Sequence, residues 1–494
     1  MIINIQEYRD KLQGCWMGKN IGSTLGQPFQ WKRKINDITT YTHHTAPPAA
    51  LDIHLLWLRA LEDNGVHTST SILSEYFLSY LSTHSEGPAK AYMQAGLMPP
   101  LCSMSHDYRD STGAFSRSEI WACIAPGCPE IAATKAYTDA SIDHGAGEGL
   151  YAAIFIAVVQ SAAFIEDDPR ELIDIGLSYI PQDCGIAQAV KTAQEAYEDN
   201  MTWLEARDKV LQNHRGHYAA WEGAGISQRD WDYGLADGPY GYDAPANIAM
   251  IIIGWLYGEG DFGRSICTTV NCGEDTVSNA AALGAILGIV DGRSLIPQEW
   301  ADPITSTLAT KTIDTFAIKH IPKSTDELSA RVERLAKIIM LTYRPDVELT
   351  NNPTNVSQRE IKNLINPETA QKILRNPYGP IYENGLITCS LDYINSGYIK
   401  SGGTSQITVK LSSKLKHDLL LNMKWYLPNG FKVSPAAAGL IHCPGGGVES
   451  LPVTFEIEAY GPVEIVNRFV MEFTSPGRHT VALVPVILLD GGML

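Results

Sequence analysis

Several things are scarce in this 494-residue sequence, and each scarcity closes off a class of protein. Charged residues make up only 19%, against about a quarter in ordinary globular domains. Cations are the scarcer half: 38 Lys and Arg face 55 Asp and Glu, a formal charge of −17. A chain so short of positive charge does not track a phosphate backbone or hold a membrane through a polybasic patch. A small phosphorylated ligand, which needs only a few local residues, stays open. Long apolar runs are also missing; the longest, residues 248–257, is too short to span a bilayer. The opening MIINIQEYRDKLQG lacks the apolar core of a secretory signal. The nine cysteines, an odd number, contain no C-x-x-C and no zinc-ligand spacing, which fits reduced thiols better than a disulfide framework. There is no P-loop and no G-x-S-x-G, and GEGDFG at 258–263 follows a helical stretch, so it is no dinucleotide fingerprint. Together these absences predict a soluble, cytoplasmic protein with no nucleic-acid or membrane partner.

What remains is ordinary globular material, with hydrophobic residues at 45% and enough length to bury a large core without metal or disulfide staples. The pattern changes once, near residue 345. Before it, apolar residues recur at helical spacing, as in Leu51, Leu55, Leu58 and Leu61, and residues 151–164 form an almost wholly apolar, hence buried, helix. Between 345 and 380 the chain carries five prolines among Asn, Thr and Gln, a connector with short helices near 358–364 and 368–374. From 384 the period becomes two, in segments such as SQITVKLSS and NRFVMEF. The expected architecture is a large all-α domain over 1–344, a linker over 345–383, and a small antiparallel, immunoglobulin-like β-sandwich over 384–494. The β-module shows no chemistry of its own and is open to a role in packing or self-association.

Four segments of the helical part are chemically suggestive. Gly14, Gly18, Gly22 and Gly26 recur every fourth residue, a stripe that lets a neighbouring backbone approach closely; residues 22–30 read as a loop with room for a ligand. NCGEDTVSNAAALGAILG, residues 271–288, places Glu274, Asp275 and Thr276 at the start of a helix with a small-residue face. There they either cap the helix or offer oxygen ligands to Mg²⁺. Pro47 and Pro48 lead to Asp52 in a first helical turn. Arg117 and Glu119 stand two residues apart, as an exposed ion pair or as functional groups, and DHGAGEGLY at 143–151 brings Asp143, His144 and Glu148 close together at the mouth of the apolar helix. Trp31, Trp57, Trp121 and Trp255 are either core or a platform for a sugar ring.

The segment GCWMGKNIGSTLGQP, with NCGEDTVSNAAALGAILG, IPQEW at 296–300, DHGAGEGLY, and Asn247 before IIIGWLYGEGDFG, resembles the ADP-ribosylglycohydrolase family over about residues 8–340. The resemblance implies a compact all-α domain and a hydrolase of ribosyl glycosidic bonds, in most members aided by two Mg²⁺ ions. The sequence departs from that pattern at the metal ligands. The family's paired aspartates before the second helix read Ala49-Ala50, and the second aspartate of its late motif is Val277. Asp275 with Thr276 offers too few anionic oxygens for two dications, so the expectation is no cofactor, with at most a single magnesium held by Asp275 and Thr276.

Three functions follow from this reading: a metal-independent glycosidase, a pseudoenzyme that binds a ribosylated or sugar ligand, and a single-metal ADP-ribosyl hydrolase. Glycoside cleavage needs a general acid and a base or nucleophile, usually two carboxyls. The candidates are Asp52, Glu119, Asp143, Glu148, Glu274 and Asp275, with Trp57, Arg117, His144 and Asn247 as substrate-binding groups.

Overall fold

The computed structural model describes residues 1–42, 50–81, 87–104, 108–145, 147–214, 241–374, 379–394 and 397–491. The chain divides into two compact units, one of Met1–Glu86 with His106–Leu374 and one of Gly87–Ser105 with Arg375–Leu494.

The helical unit is organised by backbone contact between its first helix and a late one. Asn4 caps the Ile5–Gly26 helix by accepting from the Gln6 and Glu7 N–H groups at 2.8 and 3.2 Å. The glycine stripe then lies against the Thr276–Asp291 helix: a Cβ on Gly14, Gly18 or Gly22 would sit 1.8–1.9 Å from the carbonyl oxygens of Gly288, Gly284 and Ala280. Gly26 takes the same role against Thr276, at 2.3 Å. The loop expected over 22–30 is therefore corrected: helix continues to Gly26 and a single 3₁₀ turn, Gln27–Phe29, follows. Glycine's poor helix propensity is outweighed there by the packing it permits.

Three of the described helices are buried on nearly every face and fill the centre. In Glu148–Ala162 every residue but Tyr151 is buried, and in Ala244–Gly258 every residue but Tyr257. In Thr276–Asp291 the exceptions are Val277, Val290 and Asp291. Such helices have no solvent side and so occupy the middle of the unit. The ends of the unit are tied by a short parallel pair, β1 (Ile2–Asn4) with β2 (Glu348–Thr350). The connector carries helices at Gln358–Lys362, with a Ser357/Glu360 capping box, and Pro367–Ile373. Among the described residues no helix is long and apolar enough to cross a membrane.

The second unit is a sandwich of two five-stranded sheets. Its strands are β3 (Ile381–Glu383), β4 (Ile387–Tyr393), β5 (Tyr398–Ile399), β6 (Thr404–Ser413), β7 (Leu419–Tyr426), β8 (Phe431–Ser434), β9 (Ala438–Cys443), β10 (Val453–Ala459), β11 (Val466–Thr474) and β12 (Ala482–Asp490). The sheet orders are β3-β4-β6-β10-β8 and β5-β12-β11-β7-β9, antiparallel except for β5 with β12. Strict alternation of buried and exposed residues along β7 follows from burying one face only. Trp425 of β7 meets Phe455 of β10, and Phe431 of β8 meets Phe469 of β11, closing the core between the sheets.

Two boundaries differ from the sequence reading. β3 lies inside the stretch read as linker. The helices Gly87–Ala95 and Leu101–Met104, read as part of the helical domain, belong to the sandwich unit, where Leu97 and Leu101 join its core. Their helical periodicity is real; periodicity does not say which core a helix completes.

Candidate functional site

Three clusters of buried polar side chains lie in the helical unit. The first surrounds the start of the Thr276–Asp291 helix. Gly273 has φ +78°, and a Cβ there would meet the Lys34 carbonyl at 2.4 Å, so only glycine lets the turn pass. Glu274 follows with φ +65°, a strained conformation for a residue with a side chain. Its carboxylate meets Arg33 Nε at 3.2 Å, and Arg33 Nη2 reaches Asp243 at 2.8 Å. Asp275 caps the helix, its Oδ1 facing the Ser278 N–H at 3.3 Å and Gln30 Nε2 at 3.5 Å. Its Oδ2 meets the hydroxyls of Thr112 at 2.6 Å and Ser278 at 2.8 Å. Burial pushes the Asp275 carboxyl above the usual carboxylate range, and the hydrogen bonds from Thr112, Ser278 and Gln30 only partly oppose it.

The second cluster is a chain of charges centred on Arg117. Its guanidinium grips Asp143 with two nitrogens, at 2.8 and 2.6 Å, and Asp139 through Nε at 3.0 Å. The other oxygen of Asp139 accepts the indole N–H groups of Trp57 and Trp121, at 3.0 and 2.9 Å. Burial would raise Asp143, but Arg117 and His144 outweigh it and hold this carboxyl well below the usual range. His144 Nδ1 lies 2.8 Å from Asp143 Oδ1, and its Nε2 lies 3.2 Å from Ser111 Oγ. Ser111 and Thr112 are consecutive, so one short segment touches both His144 and Asp275.

The third cluster is Lys19, Glu119 and His54. Lys19 Nζ donates to the Ser116 carbonyl at 2.7 Å and to Glu119 at 2.9 Å; the other Glu119 oxygen meets His54 Nε2 at 2.6 Å. Burial lowers the His54 pKa against the pull of Glu119, which favours the neutral ring. A neutral ring bonded to a carboxylate donates from Nε2, leaving Nδ1 without a partner among the described residues. Burial raises Glu119, yet Lys19 and His54 bring it down to about 2.

Several expected positions lie elsewhere. Arg117 and Glu119 are both buried and serve different clusters, so the exposed pair is corrected: a 3₁₀ turn over Phe115–Arg117 separates Arg117 from the helix that starts at Glu119. Glu148 does not join Asp143 and His144. Its oxygens accept the Gly185 and Ile186 N–H groups, both at 2.9 Å, and so cap the Gly185–Glu198 helix. Asp52 Oδ2 accepts the backbone N–H groups of Lys311 and Thr312, both at 2.6 Å, and pins that loop. Asn247 spends its oxygen on the Asp275 N–H and on Asn279, and its amide on the Asp243 and Gly241 carbonyls. Trp57 and Trp121 are fully buried and Trp255 is 4% exposed, which leaves Trp31, at 42%, as the one of the four open to a ligand. Pro47, Pro48 and Ala49 lie outside the described residues. Spacing gave no hint of Lys19, Gln30, Arg33, His54, Ser111, Thr112, Asp139 or Asp243, because their partners are distant in the chain.

The family model for ADP-ribosylglycohydrolase matches residues 4–336. The chain belongs to the ADP-ribosylglycohydrolase family. Its helical unit carries that family's fold, and the kinship is with glycohydrolases. The chain is also similar to a solved ADP-ribosylglycohydrolase-related protein complex, with 17% identity, a TM-score of 0.43, and coverage of 68% of this chain and 100% of that one. It is further similar to a FixG-related protein from Vibrio parahaemolyticus, with 12% identity, a TM-score of 0.18, and coverage of 21% and 96%. No curated protein matches the chain.

The two magnesium ions implied by the family find a poor donor set in this ADP-ribosylglycohydrolase relative. Four protein donors already face the Asp275 oxygens. Thr276 Oγ1 donates to the Gly26 carbonyl at 2.8 Å, joining the two central helices. Val277 and Ala50 have no side-chain donor atoms. Among the described residues no three His, Cys, Asp or Glu side chains are grouped so as to hold a metal ion. Two hard dications need several anionic oxygens, and these residues do not fit such a centre.

Proposed function

We propose that this protein is a glycosidase that cleaves a ribosyl or related glycosidic bond without a binuclear metal centre. Asp275 is the proton donor and Glu274 the ionised carboxylate. Glycoside hydrolysis needs one carboxyl that holds a proton and one that does not. The observation that carries the reading is the contrast between these neighbours: burial favours the protonated form of Asp275, while Glu274 lies on the Arg33 guanidinium. The strained backbone at Glu274 fits a functional position.

The test is turnover of a panel of ribosides, other furanosides and pyranosides, with and without chelator. The expected result is turnover unaffected by chelator, with Asp275→Asn and Glu274→Gln each lowering kcat by about 10²–10⁴-fold. The alkaline limb of the pH profile should disappear in Asp275→Asn. A stoichiometric divalent ion in active protein, or full inhibition by chelator, overturns the metal-free reading. A second reading, a sugar-binding pseudoenzyme, is favoured by the engagement of Asp52, Glu119, Asp143 and Glu148 in internal bonds. No turnover with ligand binding retained would establish it.

A further inference from the structure

His144 lies between a hydroxyl and a carboxylate. A carboxylate only accepts hydrogen bonds, so the 2.8 Å contact with Asp143 places the proton of a neutral ring on Nδ1. Nε2 is then an acceptor, and the group 3.2 Å from it is the Ser111 hydroxyl. This is the linear order of hydroxyl, imidazole and carboxylate found in nucleophilic hydrolases, an order defined by geometry and not by sequence position.

Two further features support a built site. The ring is confined between two glycines: a Cβ on Gly113 would lie 3.0 Å from His144 Cε1, and one on Gly149 2.3 Å from Cδ2. The carboxylate is fixed in turn by Arg117, Asp139 and the two indoles, a buried scaffold that leaves Asp143 one orientation.

We propose that Ser111, His144 and Asp143 form a nucleophilic triad that cleaves carboxylic esters, separate from the glycosidic chemistry assigned to Asp275 and Glu274. Ser111 Oγ bonds to the ester carbonyl carbon while its proton passes to His144 Nε2. The carbonyl π pair moves to oxygen. Collapse breaks the bond to the alkoxy oxygen, which leaves with the proton from His144. Water then attacks the acyl-serine, giving its proton to His144, and releases the carboxylic acid and the Ser111 hydroxyl. Arg117 offsets part of the Asp143 charge that would stabilise an imidazolium, and Ser111 is only 8% exposed. Both facts restrict the substrates to small, activated acyl groups.

The experiment uses the full chain with p-nitrophenyl acetate and, separately, a fluorophosphonate probe. The expected results are a burst of about one p-nitrophenolate per chain and a probe adduct on the Ser111 peptide by mass spectrometry. Ser111→Ala should abolish the adduct and lower kcat/KM for the ester by about 10²-fold or more, with circular dichroism and Tm confirming a folded variant. Ester hydrolysis unchanged in folded Ser111→Ala, or no adduct on Ser111 in the unmodified protein, overturns the proposal. Because no riboside enters either assay, its failure is distinct from failure of the glycosidase reading.

Discussion

Gly18 and Gly284 touch through their backbones: a Cβ on Gly18 would lie 1.8 Å from the Gly284 carbonyl oxygen, and one on Gly284 2.1 Å from that of Gly18. The atoms in the way are main-chain atoms of two buried helices, so no side chain can swing aside. Alanine at a free helical position gains about 1 kcal/mol over glycine. Here the sign reverses: Gly18→Ala should destabilise the helical unit by about 3 kcal/mol, at the upper end of ordinary overpacking. Chemical denaturation followed by circular dichroism checks it, and a variant as stable as the parent would mean that the helices are not in contact at this point.

The Lys19–Glu119–His54 cluster predicts acid sensitivity. Glu119 is held near about 2 in the fold, against about 4.3 for an unperturbed glutamate. The stability it contributes is present above the unfolded value and is lost as pH falls through the folded one. His54 acts in the same direction, because its folded pKa is lowered. The unfolded chain then takes up more protons below about pH 6.5, which destabilises the fold. Lys19→Met leaves Glu119 buried without its cation and should cost about 3–5 kcal/mol. The acid midpoint, measured by Tm against pH, should move upward in that variant.

Trp57 separates a core role from a sugar-platform role. Its indole N–H lies 3.0 Å from Asp139, a buried carboxylate also bound to Arg117. Trp57→Phe keeps an aromatic face but removes that donor and part of the buried ring, so the expected loss is at least about 1.5–3 kcal/mol of stability, with ligand affinity unchanged. Reduced affinity at unchanged stability would restore the platform. Differential scanning calorimetry with a sugar-binding titration distinguishes the two.

The parts of the molecule that were legible in the sequence are those governed by local periodicity. The end of helical spacing near residue 345 and the start of alternating spacing near 384 bracket the connector before the sandwich strands, and the four glycines mark a close helix contact. Segments 14–28, 143–151, 271–288 and 296–300, with Asn247, carry the resemblance to the family whose model matches residues 4–336. What spacing could not supply is partnership across the chain. Arg117 and Glu119 are two residues apart yet bind Asp143 and Lys19, and Ser111 reaches a histidine 33 residues away. Nothing local sets such pairs; packing of the helices brings them together. The stripe also misled at its end, because Gly22 and Gly26 look like loop formers until their facing carbonyls at Ala280 and Thr276 are known.

The allegiance of residues 87–104 is the least legible feature and gives the last prediction. Leu97, 3% exposed, lies in the sandwich core with Leu101, although more than 270 residues of chain separate it from the first sandwich strands. Truncating a buried leucine leaves a cavity and costs about 2–5 kcal/mol. Leu97→Ala should therefore weaken the β-sandwich and spare the helical unit. The two can be followed separately, because Trp425 is the one tryptophan of the ten that lies in the sandwich unit. With fluorotryptophan incorporated, the ¹⁹F signal of Trp425 should lose its folded intensity at lower urea in the variant, while those of Trp57 and Trp121 keep their midpoints. The reverse pattern would assign the 87–104 helices to the helical unit.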